Sequence, residues 1–222
     1  MTTKKVLIDS IINNPLFKGI NREDMSKMLD CLGFHKNSYT RGEFILLEED
    51  NISHIGIILT GSIDMIKEDI WGDRNILVRM RDNDIFGESF ACSADQMSSV
   101  SFQARSKTDV IMLPFNKVVH NCNNSCVFHH RLIENMVGLL AEKNRRLIQK
   151  SEIVSRKTLR EKLMAYLSMQ SQEAGSKSFI VPIGRVELAE YISADRSAIT
   201  RELNAMRDEG IIDFKRNSFT IL

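Results

Sequence analysis

Residues 120–130, with the sequence HNCNNSCVFHH, hold two cysteines and three histidines. Thiolate and imidazole groups bind zinc and iron centres, and the spacing of Cys122, Cys126 and His129 suits one face of a helix. The run also suits a redox switch that pairs Cys126 with Cys122, because the dipole at a helix start lowers the pKa of a thiol. Zinc signatures usually have two separated ligand pairs, so a third interpretation is favoured, in which the cysteines are small buried residues and the histidines face solvent or a helix end.

A second group of chemically active side chains lies in residues 185–212, RVELAEYISADRSAITRELNAMRDEGII. The apolar spacing predicts two short helices joined by a tight turn, and Asp195 stands where the N-cap of the second helix belongs. Residues near the start of such a helix reach base edges when the helix enters the major groove. An arginine can bind guanine through two hydrogen bonds, and serine or threonine can bind a base or a phosphate. The predicted DNA contacts of this helix-turn-helix are Arg196, Ser197, Thr200 and Arg201.

The residues after Gly210 predict a hairpin of two short strands, IIDFK and SFTIL. Lys215 and Arg216 would lie at its tip, and their cations could contact the phosphate backbone as a wing beside the recognition helix. Double-stranded DNA is therefore the predicted partner of this part of the chain.

The central part of the chain, residues 34–113, predicts a sheet structure that could hold an effector. Short β-prone runs (EFILLEE, HIGIILTGSIDMIKE, NILVRMR and SVSFQARSKTDVIML) alternate with turn signals, a pattern typical of an antiparallel β-barrel or jelly roll. Gly61 lies in one of these turns and is expected to supply a backbone conformation that other residues resist. Residues 1–30 read as helical, with Asn21 as the N-cap of REDMSKML.

A long helix is predicted from Ser125 or Asn124 to about Ser155. One apolar stripe on so long a helix usually requires a partner, and its 3-4 repeat resembles a short coiled-coil seam. We therefore expect a parallel homodimer, the alternative being that the stripe packs on the sheets of its own chain. The predicted interface consists of Ile133, Met136, Leu140, Leu147 and Val154.

Composition excludes several classes of protein. The chain has 222 residues, a net charge of +1, 43% hydrophobic residues and four scattered cysteines, which suits an ordinary globular protein without a disulfide framework. It has no apolar run of roughly 18 to 20 residues and no signal-peptide pattern, so no membrane association and a cytoplasmic location are expected. The sequence also contains no nucleophile elbow, phosphate loop or paired carboxylates, so an enzyme is not expected.

The order of helix, β-barrel, long helix and winged helix-turn-helix resembles the cyclic-AMP receptor protein/FNR family of bacterial transcription regulators. The best marks are FGES at 86–89, LTGSIDMIKE at 59–68 and DRSAITREL at 195–203. The resemblance implies an α+β fold with a sensing domain at 1–124, a dimerisation helix at 125–155 and a DNA-binding domain at 156–222. It also implies a homodimer on a two-fold symmetric operator, control by a small molecule bound in the barrel, and contact with RNA polymerase if the protein is an activator.

One departure from the family pattern concerns the effector. Members that bind cyclic AMP carry Gly-Glu and, ten residues after the Glu, an Arg that pairs with the cyclic phosphate. Here Gly87, Glu88 and Ser89 are present, but Ser98 and Ser99 stand where the arginine and its neighbour belong. A buried phosphate without a cation is costly, and Arg105 on a neighbouring stretch would be a weak substitute. We therefore expect an unidentified small-molecule effector other than cyclic AMP.

Two alternatives remain open at the level of sequence. FNR-type members hold an iron-sulfur cluster on N-terminal cysteines, whereas this chain has no cysteine before Cys31, so a thiol or metal sensor would have to use Cys122 and Cys126. A cyclic-nucleotide-binding module that controls an enzyme or channel is the other alternative. The helix-turn-helix favours a transcription regulator over that module.

Overall fold

The computed structural model describes the backbone of residues 2–120 and 127–222. The chain forms two compact units, Met1–Ala141 and Glu142–Leu222. No helix in these described ranges is both long enough and apolar enough to cross a lipid bilayer.

Helices flank the sheets of the first unit. They are α1 (Thr2–Ile11), a 3-10 turn (Pro15–Phe17), α2 (Arg22–Leu32), α3 (Glu88–Ala91), α4 (Phe115–Val119) and α5 (Val127–Val154), which continues into the second unit. The Asn21 side chain accepts a hydrogen bond of 2.9 Å from the backbone N–H of Asp24. This contact satisfies an amide that the first turn of α2 leaves without a helical partner, and it confirms the predicted N-cap.

The strands of the first unit form two four-stranded antiparallel sheets. They are β1 (His35–Tyr39), β2 (Phe44–Leu46), β3 (His54–Thr60), β4 (Ser62–Glu68), β5 (Arg74–Arg81), β6 (Ile85–Phe86), β7 (Ser101–Ala104) and β8 (Thr108–Pro114). One sheet has the order β1-β8-β3-β6 and the other β2-β7-β4-β5. The predicted jelly-roll-like fold is thus confirmed, but no strand pairing among the described residues closes the two sheets into a barrel.

Gly61 allows the β3–β4 turn to lie directly against the β7–β8 turn. Its φ is +100°, a conformation that side chains with a Cβ rarely adopt. A Cβ at this position would also overlap the Lys107 carbonyl oxygen. The run HIGIILTGSIDMIKE is consequently two strands rather than one, as the turn signal at residues 60–61 indicates.

The second unit is a small helical domain with a three-stranded sheet. It contains α6 (Leu159–Ala174), β9 (Ser178–Ile180), α7 (Arg185–Ile192), α8 (Arg196–Asp208), β10 (Ile212–Lys215) and β11 (Ser218–Ile221), with the strand order β10-β11-β9. The apolar residues whose spacing predicts the two helices of the helix-turn-helix are all buried, namely Leu188, Ala189, Ile192, Ile199, Leu203 and Met206. Their burial fixes which face of α8 remains exposed.

Candidate nucleic-acid interface

The start of α8 is held by its N-cap. One carboxylate oxygen of Asp195 accepts hydrogen bonds from the backbone N–H groups of Ser197, at 2.8 Å, and Ala198, at 3.0 Å. The hydroxyl of Ser197 donates to the same oxygen at 2.5 Å. This hydroxyl bond, followed by the two backbone bonds, lowers the pKa of Asp195, so the cap is ionised at neutral pH.

The four predicted base-contacting residues lie together on the exposed face of the first turns of α8. The Thr200 hydroxyl donates to the Arg196 carbonyl oxygen at 3.0 Å, as the Ser197 hydroxyl does to Asp195. Both hydroxyl protons are therefore used inside the protein, and the two oxygens are left as hydrogen-bond acceptors. In the major groove, the amino groups of adenine and cytosine are the donors that such oxygens could meet.

The buried face of α8 is anchored by an ion-pair network as well as by the core. Arg160 of α6 donates to Glu202 at 2.5 Å and makes two hydrogen bonds to the Glu209 carboxylate, at 2.6 and 2.7 Å. The paired hydrogen bonds match the fork of the guanidinium to a carboxylate. Arg160 thereby holds the middle and the C-terminal end of α8 against α6, and the exposed side of α8 is left for a ligand.

The β10–β11 hairpin presents the two predicted wing cations. Lys215 is exposed at the end of β10, and Arg216 is exposed in the turn with a φ of +55°. The side chain of Arg185, the first residue of α7, donates to the Arg216 carbonyl oxygen at 2.8 Å. Its guanidinium also lies 5.4 Å from the ring centroid of Phe214 and 5.0 Å from that of Phe219.

Sequence reasoning missed the role of Arg185. Its contacts tie the wing tip to the start of the helix-turn-helix, so its place is structural rather than at a DNA-facing surface. In the sequence, Arg185 stands at a predicted helix start, and the aromatic residues of the hairpin follow about 30 positions later. The arginine can be assigned to those rings only once the structure shows that the hairpin packs beside the helix start.

Four of the five residues of the predicted effector pocket take part in a local turn or hydrogen bond. Gly87 has a φ of +80° before α3, and Glu88 is 4% exposed, with Ser89 donating to its carboxylate at 3.3 Å. The buried Ser98 hydroxyl donates to the Val100 carbonyl oxygen at 2.6 Å, and Ser99 is exposed. A serine thus closes a backbone turn where cyclic-AMP binders hold a phosphate-binding arginine.

A lysine, rather than Arg105, reaches this part of the chain. The ammonium of Lys67 donates to the Ser99 carbonyl oxygen at 3.0 Å and also pairs with Glu48. Arg105 instead lines a cavity with Ser62 and residues 79–82, and none of the five predicted pocket residues lines that cavity. Arg105 therefore does not replace the missing arginine in this structure.

The apolar stripe of α5 divides into buried and exposed parts. Met136 is 3% exposed and lies in the core of the first unit, so it does not belong to the predicted dimer interface. Ile133 and Val154 are half-buried, and Leu140 packs against that same core. By contrast, Leu147 is 65% exposed, and two further apolar side chains that were not predicted are comparable, Val137 at 60% and Ile148 at 61%.

The cysteine-histidine run is only partly covered by the structure. Cys122 and Cys126 lie outside the described residues, as do the two candidate caps Asn124 and Ser125. His129 is 1% exposed, and burial lowers its pKa although a hydrogen bond with the Lys117 backbone opposes this effect. In the part of the chain that the structure describes, no three potential ligands form a metal cluster. The metal and redox interpretations therefore stay predictions, whereas His129 does not face solvent.

Comparison with known proteins gives two matching family models. The model of the cyclic nucleotide-binding domain matches residues 36–124, and that of the Crp-like helix-turn-helix domain matches residues 161–222. The transcriptional activator protein FnrL of Cereibacter sphaeroides is 20% identical over 195 residues, which cover 79% of this chain and 71% of that protein. The cyclic AMP receptor protein of Thermus thermophilus is 22% identical over 200 residues, which cover 90% and 88% of the two chains.

The chain belongs to the cyclic-AMP receptor protein/FNR family. A solved structure, that of the c-di-GMP responsive global regulator CLP of Xanthomonas campestris, has the same fold with a TM-score of 0.59 at 14% identity, over 90% of this chain and 99% of that one. The cyclic-AMP receptor protein/FNR family consists of transcription regulators, so this chain is a regulator with a DNA-binding helix-turn-helix and is not an enzyme.

Proposed function

We propose that the protein is a homodimeric, sequence-specific regulator that reads a two-fold symmetric operator with α8. The observation that carries this proposal is the exposed cluster of Arg196, Ser197, Thr200 and Arg201, on a helix whose opposite face is anchored in a core. The two arginines would read base edges in the major groove. Lys215 and Arg216 would bind phosphates on the flanking backbone.

The proposed dimer forms along the exposed side of α5. Leu147, Ile148 and Val137 supply apolar area, and Leu140, Ile133 and Val154 border it. Asn144 is exposed between Leu140 and Leu147, and a single polar residue inside a seam favours one register. We accordingly propose that residues 125–155 are the dimerisation helix, between a sensing domain at 1–124 and a DNA-binding domain at 156–222.

The sensing domain is proposed to bind a small molecule other than cyclic AMP. The Thermus relative is named for cyclic AMP and the Xanthomonas regulator for c-di-GMP. The absence of the cassette arginine from the sequence and the inward hydrogen bonding of Ser98 argue against a cyclic phosphate at Gly87, Glu88 and Ser89. The protein would act in the bacterial cytoplasm, where the genome is, and would contact RNA polymerase if it activates transcription.

The experiment that tests DNA reading is selection of binding sites from a random duplex library with the purified full-length protein. We expect a palindromic site, and affinity for it should fall steeply with added salt because bound cations release counterions from the phosphates. Arg196→Ala and Arg201→Ala should each weaken binding to that site roughly 10- to 100-fold and relax selection at the bases they contact.

The matched control is Lys177→Ala, which removes an exposed cation of the same unit outside the proposed interface. It should leave the selected sequence unchanged. An unaltered preference in both arginine variants, or the absence of any selected site at low salt, would contradict the proposal.

A further inference from the structure

A cavity of about 460 Å³ opens on the outer face of the sheet β2-β7-β4-β5. We propose that it binds a small phosphate-bearing anion through three arginines, Arg79, Arg81 and Arg105. The remaining lining comes from Gly61, Ser62, Met80 and Asp82. The site is separate from the five residues at which the family pattern would put a cyclic nucleotide.

Strand register brings the three arginines to one face. Ser62 of β4 pairs with Arg81 of β5, and Asp64 pairs with Arg79 two residues further along. On the other side of β4, the Arg105 backbone N–H donates to the Ser62 carbonyl oxygen at 2.9 Å. Side chains two residues apart on a strand lie on the same face, so guanidinium groups flank Ser62 from both neighbouring strands.

The opposite face of the same sheet shows that these arginines point outward. The residues between them in the register are Ile63, Met80 and Ala104, which pair across the three strands and are all buried in the core. The alternation of the pleat therefore directs residues 62, 79 and 81 away from the core, and Arg105, which directly follows β7, joins them in lining the cavity. The register is set by hydrophobic burial, so the arginines meet as a consequence of the fold.

The floor of the cavity is built from tightly held backbone. The Thr108 hydroxyl donates to the Ser62 carbonyl oxygen at 3.1 Å, and Gly61 lies too close to residues 107–108 for any side chain. Arg79 lies 3.7 Å from Asp64, whose side chain is 14% exposed, and the Arg81 backbone N–H donates to Asp84 at 2.7 Å. These contacts hold the backbone that carries the arginines in place before a ligand arrives, which lowers the entropic cost of ordering the site.

Charge and shape identify the class of ligand. The lining holds three guanidinium groups and one carboxylate, Asp82, with the partly buried Asp64 beside Arg79. The Arg105 guanidinium forms no ion pair with any described residue, so its positive charge is available to an incoming anion. A guanidinium fork matches the oxygens of a phosphate, and the volume falls within the range of small-molecule sites, so a phosphorylated metabolite fits better than a lone phosphate ion.

The test is calorimetric titration of the full-length protein with inorganic pyrophosphate at low salt. We expect saturable binding of one pyrophosphate per chain, and at least a tenfold weaker affinity in Arg105→Gln. The matched control is Arg74→Gln, an arginine on the same strand as Arg79 that pairs with Glu68 outside the cavity. A circular dichroism melt checks that each variant is folded. No saturable binding, or the same affinity loss in both variants, would overturn the proposal.

Two further arms separate this site from the DNA interface. The double variant Arg196→Ala/Arg201→Ala should keep its pyrophosphate affinity, because the proposed DNA contacts lie in the other unit. Arg105→Gln should keep its affinity for a DNA duplex of about 20 base pairs at low salt. If Arg105→Gln loses duplex binding while pyrophosphate binding persists, the cavity binds a DNA phosphate and the small-molecule assignment fails. Because pyrophosphate binding is measured without DNA, the two proposals can fail independently.

Discussion

Arg185 illustrates how a single side chain can position a binding element without joining the binding surface. Its guanidinium lies against two aromatic rings of the wing and donates to the carbonyl oxygen of the residue at the wing tip. Burial lowers its pKa, yet an arginine retains its charge at any physiological pH. The sequence identifies the cations that could contact DNA, but it does not identify the cation that holds them in place.

We expect Arg185→Met to weaken DNA binding about equally for selected and random duplexes. The methionine keeps an apolar contact with the rings but loses the hydrogen bond to Arg216, so the wing tip would be less ordered while α8 still reads bases. Fluorescence anisotropy with both duplexes measures this. Arg207→Met is the control, since Arg207 also lies over Phe214, at 5.2 Å, in a contact that does not involve Arg216. A change of sequence preference in Arg185→Met would contradict a positioning role.

His54 should make the first unit less stable in acid. Burial lowers its pKa, and the nearby His35, whose ring centroid is 6.2 Å away, adds to the effect. An unfolded histidine binds a proton near pH 6.5. Because the folded state takes up that proton only at lower pH, this contribution to the free energy of unfolding is full above about pH 6.5 and is lost as the pH falls.

The measurement is urea unfolding of the first unit between about pH 7 and pH 5, followed by intrinsic fluorescence or circular dichroism. His54→Gln should flatten the decline in the free energy of unfolding. His130→Gln is the control, because the His130 side chain is 78% exposed and, among the charged groups of the described residues, contacts only the exposed surface residue Glu134. An equal slope in wild type and His54→Gln would show that other groups cause the decline.

At the scale of elements, apolar periodicity and capping residues are strong signals because they depend on neighbours in sequence. The N-caps Asn21 and Asp195 are found where they are predicted, and the alternation of apolar residues places α7 and α8 correctly. The short elements are harder to predict. β6 has two residues and α3 has four, and both lie in the connection between β5 and β7, two strands of the other sheet. Elements this short carry too few residues for a periodic pattern.

Gly61 should be far more sensitive to substitution than Gly72, although both have a positive φ, of +100° and +84°. A Cβ at Gly61 meets the backbone of residues 107–108, whereas a Cβ at Gly72 meets nothing within 4 Å. Gly72→Ala should therefore lower the free energy of unfolding only by the backbone strain, about 1 kcal/mol. Gly61→Ala should lower it by that strain and, in addition, by the cost of moving the β3–β4 and β7–β8 turns apart.

Urea denaturation of the two variants measures this difference in the free energy of unfolding. Equal values would show that the β7–β8 turn moves away easily. Because the same contact supports the floor of the arginine cavity, Gly61→Ala should also weaken pyrophosphate binding, whereas Gly72→Ala should not.

For the molecule as a whole, we expect one side of α5 to stabilise the fold of the first unit and the other side to form the dimer. Met136→Ala should lower the free energy of unfolding of the first unit by about 2–5 kcal/mol, because it leaves a cavity in a core. It should leave the dimer intact. Leu147→Asp should dissociate the proposed dimer while leaving each unit folded, since the side chain is exposed.

Sedimentation velocity distinguishes these outcomes, and the duplex affinity of Leu147→Asp adds a functional readout. A monomer should bind a half-site weakly and lose most of its affinity for a palindrome. An intact Leu147→Asp dimer would place the interface elsewhere, and a Met136→Ala monomer would return that residue to the interface.

The sequence is sufficient to predict the class of elements and the helix-turn-helix with its exposed polar residues, and it shows that the cassette arginine is missing. These features follow from local periodicity, from capping chemistry and from the presence or absence of a side chain at one position. Three other features become visible only in the folded chain: Met136 lies in the core, Arg185 supports the wing, and Arg79, Arg81 and Arg105 share a cavity. Those outcomes depend on strand register and on contacts between residues far apart in the chain, which local sequence patterns do not specify.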